Sequence, residues 1–220
     1  MQIGLIRQAK ILFLKEIKTE WRNRYAINGI LVQLVSAVFI TNLCFQALKP
    51  ATWNALFWVI VLFSSVNAIA RSFIQERDGR LLYFHTLVNP LAVLFSKMLF
   101  NIIMSVTITL LALVLFSLFL EKPDWDLMRY TTLIVLFSIG LGVLFTTVSA
   151  IASKTKAGGI IMPLLSFPLI IPMIVVAVAG GVMIVMGDHS NFLQNAAIML
   201  LIDVMIVFLA TIMFRFLWQN

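Results

Sequence analysis

Few side chains in this 220-residue chain could do chemistry, and none of them stands in a pattern that chemistry requires. The two histidines, His85 and His189, are far apart in the sequence, and the single cysteine, Cys44, has no partner for a disulfide within the chain. A serine hydrolase needs a histidine base within hydrogen-bond reach of its nucleophile, and both histidines fall in connecting loops. There is no His-Glu-x-x-His zinc pair and no Gly-x-x-x-x-Gly-Lys-Ser/Thr phosphate loop. One ionisable group lies inside a long apolar stretch, Asp203, where a charge is costly enough to suggest a purpose. Two readings of it stay open: a role in helix pairing or a substrate path, or a protonated or hydrogen-bonded acid facing Ser, Thr or Asn on a neighbouring helix. Asn67 and Asn101 are lesser cases of the same kind, read as polar glue between helices.

The elements that would position these groups follow from composition. Hydrophobic residues make up 62% of the chain and charged ones only 11%, far from the balance of a soluble domain. Six apolar stretches, each near the roughly 20 residues a helix needs to cross hydrocarbon, are expected at about 26–46, 52–70, 98–120, 130–152, 160–186 and 196–217. The fold class is therefore an all-α integral membrane protein with six transmembrane helices, and a folded ATPase or other soluble catalytic domain is excluded on length within these 220 residues.

The net charge of +7 is topological in origin. Thirteen of the sixteen Lys and Arg fall before the first span, between spans two and three, in the turn after span four, or at Arg215, leaving Lys49, Lys122 and Arg129 for the other side. The positive-inside rule then predicts that both termini are cytoplasmic. Residues 3–24, wound at 100° per residue, gather Ile3, Ile6, Phe13, Leu14, Ile17 and Trp21 opposite Arg7, Lys15, Lys18 and Arg22. Residues 1–25 are thus expected to form an interfacial amphipathic helix on the cytoplasmic leaflet, with Lys10 snorkelling from the apolar side. Trp53 and Trp58, near the start of the second span, are expected as interface anchors. The fifth apolar stretch carries Gly158 and Gly159 at its start, then Pro163, Pro168 and Pro172, and is read as a broken span. Its interruptions are expected to face protein or a cavity, with an end near Ala177 and a re-entrant segment over 178–195.

The loop 71–97 is charged at its start and apolar from Leu81 to Val88. Asp78-Gly79 can start a short helix there and Asn89-Pro90 can stop it, which suits docking in a groove of a cytosolic partner or, more plainly, a surface-lying connector. The run Glu76-Arg77-Asp78-Gly79-Arg80-Leu81-Leu82, followed by Asn89-Pro90-Leu91 and by Lys97 opening the next span, resembles the coupling loop of ABC-type export permeases. Arg80 departs from the Thr or Ser usual in that family. By this resemblance Glu76, Asp78, Gly79, Leu81, Leu82, Phe84, His85 and Pro90 would contact a partner ATPase.

A second set of residues narrows the group. Lys156-Ala157-Gly158-Gly159, Leu164-Leu165, Phe167-Pro168-Leu169, Ile171-Pro172 and Ile174 are similar to the fifth span of the cytochrome c maturation permeases, the CcmB family. The resemblance implies a non-catalytic subunit of the ABC export-permease type in a bacterial inner membrane. Its partners would be a CcmA-like ATPase that handles ATP, CcmC-like and CcmD-like membrane proteins, and a CcmE-like haem chaperone. No cofactor or metal would be resident in this chain, with haem handled by the complex. Haem ligation calls for His, Met, Cys or Tyr beside a pocket; His189, next to Asp188, is the candidate ligand and an ordinary loop residue is the alternative. The competing readings are a permease for another cargo (drug, lipid or polysaccharide) and a membrane scaffold that transports nothing. The charge asymmetry has a direct check: a reporter fused after Asn220 should behave as cytoplasmic and one inserted at Asn191 as external, whereas the reverse pattern overturns the topology.

Overall fold

The computed structural model describes residues 5–22, 24–45, 47–74, 90–120, 125–153 and 158–219. Among them the backbone forms seven helices and no strand: α1 (Leu5–Arg22), α2 (Arg24–Cys44), α3 (Pro50–Ile74), α4 (Pro90–Phe119), α5 (Leu127–Ser153), α6 (Gly158–Val185) and α7 (Phe192–Gln219). In hydrocarbon, water cannot satisfy backbone amides, so long apolar sequence is driven into helices that bond internally. Four helical segments among the described residues are long and apolar enough to cross a membrane: Leu91–Phe119, Leu127–Ala152, Leu164–Val185 and Phe192–Met213. The apolar helix Asn28–Cys44 is a shorter segment of the same character, and α3 adds a further helix of 25 residues.

The helix ends follow local chemistry. α3 and α4 each begin on a proline, whose missing N–H costs nothing in the first turn and whose fixed φ suits it. Pro90 therefore starts a helix, whereas the sequence placed it as a stop, and α4 begins eight residues before the expected third span at 98. The linker read as 71–97 shrinks accordingly to 75–89, which lies outside the described residues. Asp126 caps α5, its Oδ1 accepting the backbone N–H groups of Met128 at 3.1 Å and Arg129 at 3.2 Å. α6 ends in a turn with Gly187 at φ 80°, where the Asp188 N–H bonds the Met183 carbonyl (2.9 Å) and the Gly187 N–H bonds that of Ile184 (3.1 Å).

That terminus corrects the reading of the fifth span. α6 is one continuous helix from Gly158 to Val185, containing Gly158, Gly159, Pro163, Pro168 and Pro172, so the span is not broken and does not end near Ala177. Pro168 and Pro172 are exposed on its outward side and do not face the bundle. Each removes one backbone bond, but unwinding the helix would strand several more amides in hydrocarbon, so continuity is the cheaper outcome. The chain turns at 186–191 and α7 follows directly, which replaces the expected re-entrant segment.

α5 is the centre of the bundle. Its most extensive contact is with α4, and α6 and α7 pack on its other sides. Every residue from Gly140 to Ser149 is buried, nearly three turns without an outward face. The α4–α5 approach is set by Gly142, where a Cβ would lie 2.6 Å from the Ile102 Cα and backbone nitrogen. Polar pairs fix the register of this seam: Asn101 Nδ2 donates to Thr146 Oγ1 (2.8 Å), and Thr109 and Ser138 share a hydrogen between hydroxyls 2.7 Å apart. Small residues and short hydroxyls are what membrane helices use when apolar burial alone gives no preference over lipid.

Gly142→Ala should therefore lower the thermal stability of the detergent-solubilised chain, by roughly 1–3 kcal/mol as for other overpacked sites. Gly180→Ala, whose Cβ would meet only the Leu133 and Asn195 side chains at 3.3 and 3.4 Å, should have a much smaller effect. Equal losses would show that the α4–α5 approach is not limiting.

Candidate functional site

Three polar constellations interrupt the apolar bundle. The first surrounds Asp203, roughly 16 Å along α7 from its start at 1.5 Å per residue and buried to 6% exposure. Of the two readings left open in the sequence, neither is decided by its immediate neighbours. Asp203 fills the space left by Gly140, since a Cβ there would collide with Asp203 Oδ1 and with the Met173 methyl. Among the described residues Asp203 Oδ1 has no hydrogen-bond partner. An acid at the α5–α6–α7 junction is thus accommodated by a missing side chain and lined by a thioether, which leaves an acceptor in the middle of the bundle.

The second constellation is centred on Asn54, which the sequence reading did not single out. Asn54 lies on α3, fully buried, and binds three other elements or turns at once. Its Nδ2 donates to the Val178 carbonyl of α6 (3.0 Å), and its Oδ1 accepts from Trp58 Nε1 (3.0 Å) and from the Tyr130 hydroxyl of α5 (2.8 Å). Gly181 makes the room, because a Cβ there would overlap Asn54 Oδ1. Around this hub the rings interlock: Trp53 lies 5.6 Å from Phe57 and 5.2 Å from Phe116, Trp58 4.9 Å from Phe137, and Trp125 4.1 Å from Tyr130. Trp53 and Trp58 are therefore buried core residues and not interface anchors. The signal that could have revealed them was Asn54 itself, an amide four residues before a tryptophan within an apolar run.

The third lies at the other end of the bundle, where α1 packs against the first turns of α4. Lys97, singled out in the sequence as the lysine opening the third span, sits 3.9 Å from Glu16 on α1, and Lys15 is 3.6 Å from the same carboxylate oxygen. Leu12, one turn before Glu16, is buried. The sequence placed α1 on the lipid surface alone; in the structure one face of it is held by α4.

The other sequence-derived residues are scattered. Asn101 joins α4 to α5, as a packing polar residue should. Asn67 does not: its side chain is exposed on α3. Pro90 begins α4, while Glu76, Asp78, Gly79, Leu81, Leu82, Phe84 and His85 lie outside the described residues. His189 sits in the turn before α7 with Nδ1 buried and, among the described residues, without a hydrogen-bond partner. Its neighbour Asp188 accepts the Ser190 N–H (3.0 Å) and hydroxyl (2.7 Å), which hold that carboxyl below its ordinary pKa. Among the described residues no three His, Cys, Asp or Glu side chains gather as a metal site.

Against this geometry, comparison with protein families matches residues 7–216 to the CcmB protein family. The chain belongs to the CcmB family. The match takes in every helix named above except the first two residues of α1 and the last three of α7. Membership makes it a permease-type, multi-pass membrane component of the haem-export machinery for cytochrome c maturation, a system that includes an ATPase. Comparison with curated proteins finds no match.

In this CcmB-family bundle the Asn54 hub should be cooperative. Tyr130→Phe should cost about 1 kcal/mol of stability, typical for one hydrogen bond between membrane helices. Asn54→Ala, which strands the Trp58 N–H and the Tyr130 hydroxyl, should cost roughly 2–6 kcal/mol at 1–3 per orphaned group. In a double-mutant cycle read by thermal unfolding, Tyr130→Phe should cost less in the Asn54→Ala background; strict additivity would mean that the three groups do not act together.

Proposed function

We propose that the chain is the membrane permease subunit of an ABC complex for cytochrome c maturation, coupling ATP hydrolysis on a partner ATPase to haem delivery and release of the haem-loaded chaperone. The family match over residues 7–216 carries this reading. The absence of a phosphate loop from the sequence supports it, because nucleotide chemistry then belongs to a partner. α2 to α7 form the six crossings, both termini are cytoplasmic, and the membrane is the bacterial inner membrane.

Residues 75–89 join α3 directly to α4, so a push on Glu76, Gly79 or the Leu81 to Val88 stretch by a CcmA-like ATPase would enter two long helices at once. CcmC-like and CcmD-like membrane proteins complete the complex, and a CcmE-like chaperone receives haem, which is cargo and not a resident group. Within the chain, α6 is the element best suited to yield. Pro168 and Pro172 leave it short of two backbone bonds on one side.

Deleting the gene in a host without a paralogue should abolish covalent haem attachment to c-type cytochromes, leave b-type cytochromes intact, and cause haem-loaded chaperone to accumulate on its membrane partner. Normal c-type cytochromes in that strain would refute this role and favour a permease for another cargo.

A further inference from the structure

The face of α1 that α4 does not use has its own composition. Measured from Leu12, the buried apolar residue of α1, Arg7, Lys10, Ile11, Leu14, Ile17 and Lys18 fall on the opposite third of the helix at 100° per residue, and all six are exposed. Ile11 and Leu14 are more than half exposed, at 54% and 55%. This differs from the two-sided pattern read from the sequence, which set Arg7 and Lys18 opposite Leu14. The exposed strip mixes three branched apolar side chains with three cations and carries no acid. Such a strip is poorly matched to an apolar protein groove, and the charge complement it lacks is anionic.

We propose that α1 is a brace that binds anionic phospholipid: its outward strip takes acidic headgroups between Arg7, Lys10 and Lys18 while Ile11, Leu14 and Ile17 enter the acyl margin. The opposite face carries buried Leu12 and, through the Glu16–Lys97 pair, meets the start of α4. The occupant is the lipid surface because the helix adjoins membrane-spanning α4, and its apolar groups are too short a row to cross but long enough to lie in an interface. Basic side chains near an acidic surface each contribute roughly a fivefold preference at moderate ionic strength. The consequence is that the end of α4 next to residues 75–89 is referenced to the bilayer through α1. This inference rests on the membrane fold and not on the cargo.

The test uses the full chain with Cys44→Ala and Leu14→Cys, carrying a fluorophore on the new thiol, in phosphatidylcholine vesicles containing phosphatidylglycerol. Bromine is placed on the acyl chains of one lipid or the other. Brominated phosphatidylglycerol should quench several-fold more than brominated phosphatidylcholine at equal content. High salt should erase most of that preference, a measurement that needs no further variant. Arg7→Glu with Lys10→Glu and Lys18→Glu should also abolish it, while Lys10→Arg with Lys18→Arg should retain it. Equal quenching by the two lipids overturns the proposal. So does quenching by neither lipid, which would show the strip covered by another protein chain, and so does dominant quenching by aqueous iodide, which would show it in water.

Discussion

The close approach of α4 and α5 at Gly142 is the constraint on which the rest of the bundle is arranged. Because a Cβ at this position would lie 2.6 Å from the Ile102 backbone, the two helices meet nearly backbone to backbone. That proximity brings Asn101 within reach of Thr146 and Thr109 within reach of Ser138. In lipid, where helices gain little from burying apolar side chains against each other, such contacts and hydrogen bonds are what distinguish one register from another. Once α4 is seated, α5 has its remaining surface free for α6 and α7, and its run from Gly140 to Ser149 becomes buried on every side. Gly140 then serves a different neighbour, accepting Asp203 from α7 where a side chain would exclude it.

The two ends of the bundle are built differently. At the end where α3 and α5 begin, Asn54 ties α3, α5 and α6 together inside a shell of tryptophan, tyrosine and phenylalanine rings. A buried amide with its partners satisfied is expensive to displace, because moving any one helix orphans groups on the others. At the α1 end the contacts include an ion pair at 3.9 Å with both side chains partly accessible. Such pairs contribute little to stability and can be rearranged at small cost. The stiffer of these two junctions therefore lies where α3 and α5 begin, and the more adjustable one where α4 begins.

How much of this was legible in the sequence depends on whether the information was local. Helices in hydrocarbon have little alternative, so composition and length alone pointed to an all-helical membrane fold with long apolar helices, and the spaced residues around Gly158, Pro168 and Pro172 pointed to the family. What failed was inference from a residue's local habit to its surroundings. Pro168 and Pro172 suggested a break, but a helix in an apolar medium tolerates two missing bonds more readily than an unwound turn. Trp53 and Trp58 suggested an interface, yet Asn54 offered their helix a buried partner set whose other members, Tyr130 and Val178, are distant in sequence. Asp203 was recognisable as unusual from its position, but its neighbours Gly140 and Met173 carry no polar group that a search for partners would have selected.

Asp203 also bears on what the bundle can do as it moves. Its carboxyl lies against Gly140 and Met173, and among the described residues its Oδ1 makes no hydrogen bond that would have to break if α7 shifted along α5. The cost of moving it is instead the cost of exposing a polar group to a less favourable medium, which rises if the group meets hydrocarbon and falls if it meets a donor. A displacement of α7 toward a donor on a neighbouring chain would therefore be favoured, while a displacement into lipid would be resisted. Under the proposed role of transmitting motion from one partner to another, an acid placed this way would make a shift of α7 toward lipid the costlier direction. The Asn54 hub has the opposite property, since its bonds to α5 and α6 would have to break if those helices parted from α3.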